Sequence, residues 1–139
     1  PDMLSQAVTL YREKFRPSAR LAEPYIMIGL NVIAAESKAR ARYLFTSQQQ
    51  QFINLRRGMP GPLPAPVENM DHIWSPAEKY GVDRALGMSL VGDQASVAQG
   101  LASLQQQYQA DEFMVNGQIF DIDARIYSFS LAMAAAQSL

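Results

Sequence analysis

The sequence predicts an α/β fold built from parallel strand–helix units, and three observations carry that prediction. Three short apolar runs, Tyr25–Ile33, Met88–Val91 and Glu112–Ile119, are spaced along the 139 residues. Each is followed by an amphipathic helical pattern, the rhythm of βα units. A further helical pattern opens the chain with no strand before it. Residue 1 is Pro, and three parallel strands are few for a sheet that needs cover on both faces. The expectation is therefore one partial domain over residues 1–139, a piece of a larger unit.

The first helix is expected from about Met3 to Phe15, capped by Asp2, with Leu4, Val8, Tyr11 and Phe15 on one buried stripe. Pro17 stops it. The run Tyr25–Ile33 is apolar on both faces except for Asn31, so it reads as a strand covered on both sides. Glu36 and Ser37 lead into a long helix, about Lys38 to Arg57. Its stripe is Ala41, Leu44, Gln48, Phe52 and Leu55, and Gly58 is its stop. Residues 58–75 carry Pro60, Pro62, Pro64 and Pro66 with Gly58 and Gly61, which favours an extended path with few ladder bonds.

Ser75-Pro76-Ala77-Glu78 is a capping box, so a short helix should run to about Leu86. Strand Met88–Val91 follows, then Gly92-Asp93 and a helix to about Tyr108 with Val97, Leu101, Leu104 and Tyr108 inward. After the third strand, Asp121 or Asp123 starts the last helix, whose stripe is Ile122, Ile126, Phe129 and Met133. Right-handed crossovers set helices on one side of consecutive parallel strands. Continued around, they close an eight-stranded barrel, which takes about 250 residues. A doubly wound open sheet is the competitor, and periodicity does not separate the two.

Composition narrows the function classes. Apolar residues make up 48% and charged residues 18%, as in a packed globular protein. The net charge of −1 provides no field for nucleic acid or an anionic membrane. No apolar stretch reaches the roughly 18–20 residues that span a bilayer. Cysteine is absent, which removes disulfides, thiolate chemistry and Cys-based metal sites and fits a reducing, cytoplasmic setting. There is no Gly-x-Ser-x-Gly elbow, Walker loop, Gly-x-Gly-x-x-Gly or His-Glu-x-x-His.

Ligands gather at the carboxyl ends of strands in either architecture. Asn31, an amide in an apolar strand, reads as a ligand contact or as a core amide satisfied by backbone. Asn116 and Gln118 share one strand face and point to a barrel interior, or to solvent. Gly92-Asp93 reads as a plain helix start in preference to a phosphate site, because Asp93 would cap the free N–H groups and repel an anion. His72, the sole histidine, stands beside Asp71 and near Glu68. An exposed loop residue is the plainer reading of it than a metal ligand or proton relay, and no metal is expected. Trp74 is an anchor for its loop or, with His72, part of a lid. Arg56 and Arg57 suit the helix dipole better than a phosphate.

Several segments, taken in order, resemble a known family. They are Leu10–Ser18 (LYREKFRPS), Glu23–Ala35 (EPYIMIGLNVIAA), Leu44–Gln50 (LFTSQQQ), Phe52–Gly58 (FINLRRG), Pro60–Pro64, Trp74–Pro76, Val91-Gly92 and Ala110–Val115. The set resembles the C-terminal part of the bacterial luciferase-like monooxygenases. The resemblance implies a (β/α)8 TIM-type barrel, of which this chain carries helix 5 and βα units 6 to 8, with residues 58–75 as an insertion near the mouth. It implies a flavin-dependent oxidoreductase in which reduced FMN, or in some branches the deazaflavin F420, acts with oxygen on a small organic substrate. It also implies a separate NAD(P)H–flavin reductase and a homo-oligomer. A reductase working without oxygen and a non-catalytic fragment lacking the cofactor site are the alternatives. Asn31, Asn116 and Gln118 are the candidate flavin contacts. No catalytic residue transfers, since much of the family's flavin contact set comes from strands 1 to 5. Val91-Gly92-Asp93 departs from the family's commoner Gly-Ser/Thr-Pro-Glu, which puts a phosphate role there in doubt.

Overall fold

Local signals and structure agree at every helix start whose cap is described. The computed structural model describes residues 2–138. Its elements are α1 (Asp2–Lys14), β1 (Met27–Ala34), α2 (Lys38–Arg56), α3 (Pro76–Ala85), β2 (Leu90–Gly92), α4 (Gln94–Tyr108), β3 (Glu112–Asn116) and α5 (Ile122–Ala136). Ser37 caps α2, Asp93 caps α4 and Asp121 caps α5, each accepting from a backbone N–H three residues on. Ser75 and Glu78 form the reciprocal capping box of α3. The expected cap of α1 rests on the Asp2 side chain, which lies outside the described residues.

The three strands are parallel, in the order β2-β1-β3. This differs from the chain-order succession expected of consecutive strands. The register gives the reason. β3 pairs along the amino-terminal half of β1, from Met27↔Glu112 to Asn31↔Asn116. β2 is three residues long and pairs only at the carboxyl end, from Val32↔Leu90 to Ala34↔Gly92. β1 and β3 are thus the long neighbours, and β2 is a short addition at one end.

The period of two sorts β1 cleanly. Ile26, Ile28, Leu30, Val32 and Ala34 are buried against α1, α4 and α5, through Val8, Val97, Leu101, Tyr108, Ala132 and Ala135. The opposite face is uncovered in its amino-terminal half, where Met27 is 49% and Met114 59% exposed. It is covered only towards the carboxyl end, where Ile33 packs with Ala41 and Leu44 of α2 and with Ile119. Two-sided cover of β1 was therefore half right. Helices on one long face and an uncovered face behind them are the layering of a barrel arc, not of a doubly wound sheet.

The helix stripes divide. On α4, Val97, Leu101 and Tyr108 are buried as periodicity requires, with Leu104 packed beside them. On α5 the expected stripe is wrong: Ile122, Ile126, Phe129 and Met133 are 40–61% exposed, and Ser128, Ala132 and Ala135 face inward. Small residues let α5 approach the sheet closely. At Gly117 an added Cβ would lie 2.7 Å from the Val32 carbonyl oxygen.

The Pro-rich segment is pinned to the body. Met70 is buried with Ile53 and Val82, and Val67, Ile73 and Trp74 pack around them. The Val67 N–H donates to Thr46 Oγ1 at 2.9 Å, and Gln50 Nε2 donates to the Ala65 carbonyl at 2.9 Å. Arg57 closes the far end, donating to both Glu78 carboxylate oxygens (2.7 and 3.0 Å) and to the Ile73 carbonyl (2.8 Å). No described helix is long and apolar enough to cross a membrane.

Candidate active site at the carboxyl end of the sheet

Parallel strands direct their carboxyl ends to one edge of the sheet, where loops and helix starts can surround a ligand. Here that edge is formed by Asn31–Ala34, Gly92 and Asn116. Asn31 and Asn116 are paired in register, which sets neighbouring strands about 4.8 Å apart. Both lie on the face turned away from α1, α4 and α5. Asn31 is half-buried, and its Nδ2 makes only a long 3.5 Å contact to Ser89 Oγ. That is beyond the range of a strong hydrogen bond, so the amide keeps most of its bonding capacity.

Beyond this pair, α2 lies across the mouth. Leu44 closes over Ile33 and Ile119. One turn further, Gln48 reaches a cleft of about 310 Å³ that also involves Gln51, Phe52, Leu55, Pro60, Gly61, Leu86 and Gln118. None of these residues is charged. Gln48 is 6% exposed, and its Oε1 is closed off from solvent without any donor. An unsatisfied buried acceptor of this kind costs about 1–3 kcal/mol.

Of the residues singled out from sequence, Asn31 and Asn116 come together in register, and Gln118, beyond the end of β3, lines the cleft, which neither asparagine does. Trp74 and His72 do not line that cleft. Trp74 packs into the Ile53–Met70–Val82 cluster under the Lys79 ammonium, 5.5 Å from the ring centre, and borders a separate groove with Arg42, Thr46 and Glu68. It anchors its segment. His72 is exposed, and among the described residues no group of three or more His, Cys, Asp or Glu side chains could hold a metal. Gln48 and Gln51 carry no ligand role in the sequence reading, which sets Gln48 in the stripe of the second helix. The signal that could have found Gln48 was its place in the Ala41–Leu44–Phe52–Leu55 stripe, where an amide interrupts an otherwise apolar row.

Charged groups nearby are committed elsewhere. The Ser96 hydroxyl (2.6 Å) and N–H (2.9 Å) both donate to Asp93 Oδ1, which holds that carboxyl below its usual value. Asp93 is thus a helix cap, as its position suggested, and it occupies the N–H that an anion would need. Bonding to Arg57 holds the Glu78 carboxyl down to about 2. The remaining hollow at this edge, between the end of β1 and the start of α5, opposes Arg40 with Glu36, Asp121 and Asp123. A hollow lined by three carboxylates and one guanidinium does not suit a phosphate.

No family model matches the chain. Over all 139 residues it is 58% identical to the protein named luciferase-like monooxygenase of Escherichia coli K12, aligning with the C-terminal 42% of that protein. It is 44% identical over 125 residues to the uncharacterized protein YvbT of Bacillus subtilis, covering 90% of the chain and 37% of that relative. The chain thus spans less than half the length of the curated relatives it matches. Among solved structures, the crystal structure of apo-MsnO8 superposes with a TM-score of 0.75 at 19% identity, over 96% of this chain and 41% of that one. That likeness concerns the fold alone, part of an α/β barrel.

Proposed function

We propose, for a chain that belongs to the luciferase-like monooxygenases, that the protein carrying it is a flavin-dependent monooxygenase and that this segment supplies part of the barrel mouth. The 58% identity over all 139 residues, to the C-terminal 42% of the relative, carries the reading. The strand order favours β1 and β3 as adjacent staves of the barrel, with β2 an added strand at its rim.

The residues fit one part of a flavin and not another. The in-register amides of Asn31 and Asn116, and the Gln118 amide two residues on from Asn116, suit the uncharged hydrogen-bonding edge of the flavin ring. The acid-lined hollow at the start of α5 does not suit the FMN phosphate, which is assigned to the rest of the protein. Reduced FMN, when bound, supplies the electrons that let oxygen react with an organic substrate. The chain's own residues orient and exclude. Asn31 and Asn116 would hydrogen-bond the ring, while Phe52, Leu55, Pro60 and Leu86 would limit water at the mouth. A separate NAD(P)H-dependent reductase would deliver the reduced cofactor.

The test is anaerobic titration of the whole protein with reduced FMN, then with the reduced deazaflavin F420, followed by admission of oxygen. Saturable FMN binding and oxygen uptake are expected. Asn116→Leu should weaken FMN about tenfold, the value of one hydrogen bond. Binding of the deazaflavin alone, with no oxygen uptake, would make the protein a reductase. No affinity for either cofactor would refute the proposal.

A further inference from the structure

We infer that the cleft between α2 and the segment following β3 is a substrate subsite that selects neutral molecules with a hydroxyl group on an apolar body. The inference rests on the flavin-enzyme reading and adds the substrate class to it. The wall composition is the first support. Amides of Gln48, Gln51 and Gln118 face side chains of Phe52, Leu55 and Leu86, with no cation or carboxylate among them. The two arginines that end this stretch of α2 are turned to other tasks. Arg56 lies over the Phe52 ring at 5.5 Å, and Arg57 is clamped to Glu78. A carboxylate or phosphate entering the cleft would lose hydration and meet no counter-charge.

Gln48 is the second support. It is more than nine-tenths buried, lines the cleft, and leaves Oε1 without a donor. Oε1 itself is enclosed, so the subsite requires the Gln48 amide to rotate towards the cleft, which would bring the unused acceptor onto a ligand. A hydroxyl both donates and accepts, so it satisfies either end of the amide.

Three probes of equal or similar size separate the outcomes in the whole protein: 1-hexanol, its donor-less isomer 1-methoxypentane, and hexanoate. Affinity is read by calorimetry with and without FMN, and FMN affinity is read separately. Hexanol should bind about tenfold tighter than methoxypentane, with hexanoate weakest. Gln48→Met should erase the preference for hexanol while FMN affinity, which also reports correct folding, is retained. Gln48→Leu serves if the methionine variant fails to fold. Equal affinities, tighter hexanoate, no hexanol binding, a preference that survives the substitution, or a substitution that weakens FMN would each overturn the inference. Absence of FMN binding alone would sink the flavin reading, and the hexanol preference of the FMN-free protein would still judge the cleft.

Discussion

Replacing Ser128 with alanine should loosen the carboxyl end of β1 by removing a single hydrogen-bond acceptor. Successive residues of a strand direct their backbone groups to opposite sides. The Ala35 N–H donates to the Gly92 carbonyl at 3.1 Å, on the β2 side. The Ala34 N–H therefore points to the β3 side. But β3 ends at Asn116, opposite Asn31, and offers no partner that far along. Ser128 of α5 fills the gap, its Oγ accepting from Ala34 at 2.9 Å, with both residues almost fully buried. Alanine leaves the N–H unsatisfied, at a cost of about 1–3 kcal/mol. At about 2–4 °C per kcal/mol for 150–250 residues, that lowers Tm by roughly 2–12 °C, and by less in a longer protein. A thermal melt gives the stability change, and hydrogen exchange at the Ala34 amide gives its location. A Tm within about 1 °C of the original, with Ala34 equally protected, would refute the assignment.

Three further outcomes follow from the same geometry. Gly117→Ala places a methyl 2.7 Å from the Val32 carbonyl oxygen, a backbone atom that cannot swing aside, so strand separation must change. A loss of about 1–3 kcal/mol in denaturant unfolding is expected, and an unchanged midpoint would contradict the close approach. Leu101→Ala removes a side chain only 1% exposed beneath β1 and should cost about 2–5 kcal/mol, measured the same way. The Glu78 carboxyl, lowered from 4.5 to about 2 chiefly by Arg57, contributes stability that is present above about pH 4.5 and is lost as pH falls towards 2. The stability difference between the original protein and Glu78→Gln should accordingly shrink across that window. A difference independent of pH would show that the Arg57 clamp does not carry it.

The structure also shows where a local reading was sufficient. Asp93, Asp121 and the Ser75–Glu78 box act within three residues of themselves, so their roles depend on little beyond the chain's own local geometry. The α4 stripe was legible for a similar reason: Val97, Leu101 and Tyr108 are large apolar residues at helical spacing, with no competing apolar face. On α5 two faces compete, one large and one small, and periodicity favoured the large one. Only the sheet's proximity selects Ser128, Ala132 and Ala135, because a face of small side chains lets backbone approach backbone.

The candidate site divides along the same line. The amino-acid order by itself determined that Asn31 and Asn116 lie in the carboxyl-terminal halves of strands, because the period of two and the apolar runs are local properties; it carried the third strand on to Ile119, whereas β3 ends at Asn116 and leaves Gln118 beyond it. It also determined the absence of cysteine, and the ordered segments that mark the family. Tertiary structure alone decided that β1 lies between β2 and β3, that Asn31 faces Asn116 in register, and that Gln48 closes a charge-free cleft with Gln118, seventy residues away in sequence. Strand pairing and helix docking join residues that share no local signal. They are settled by which apolar faces exclude water together, and the sequence carries that information only as a whole.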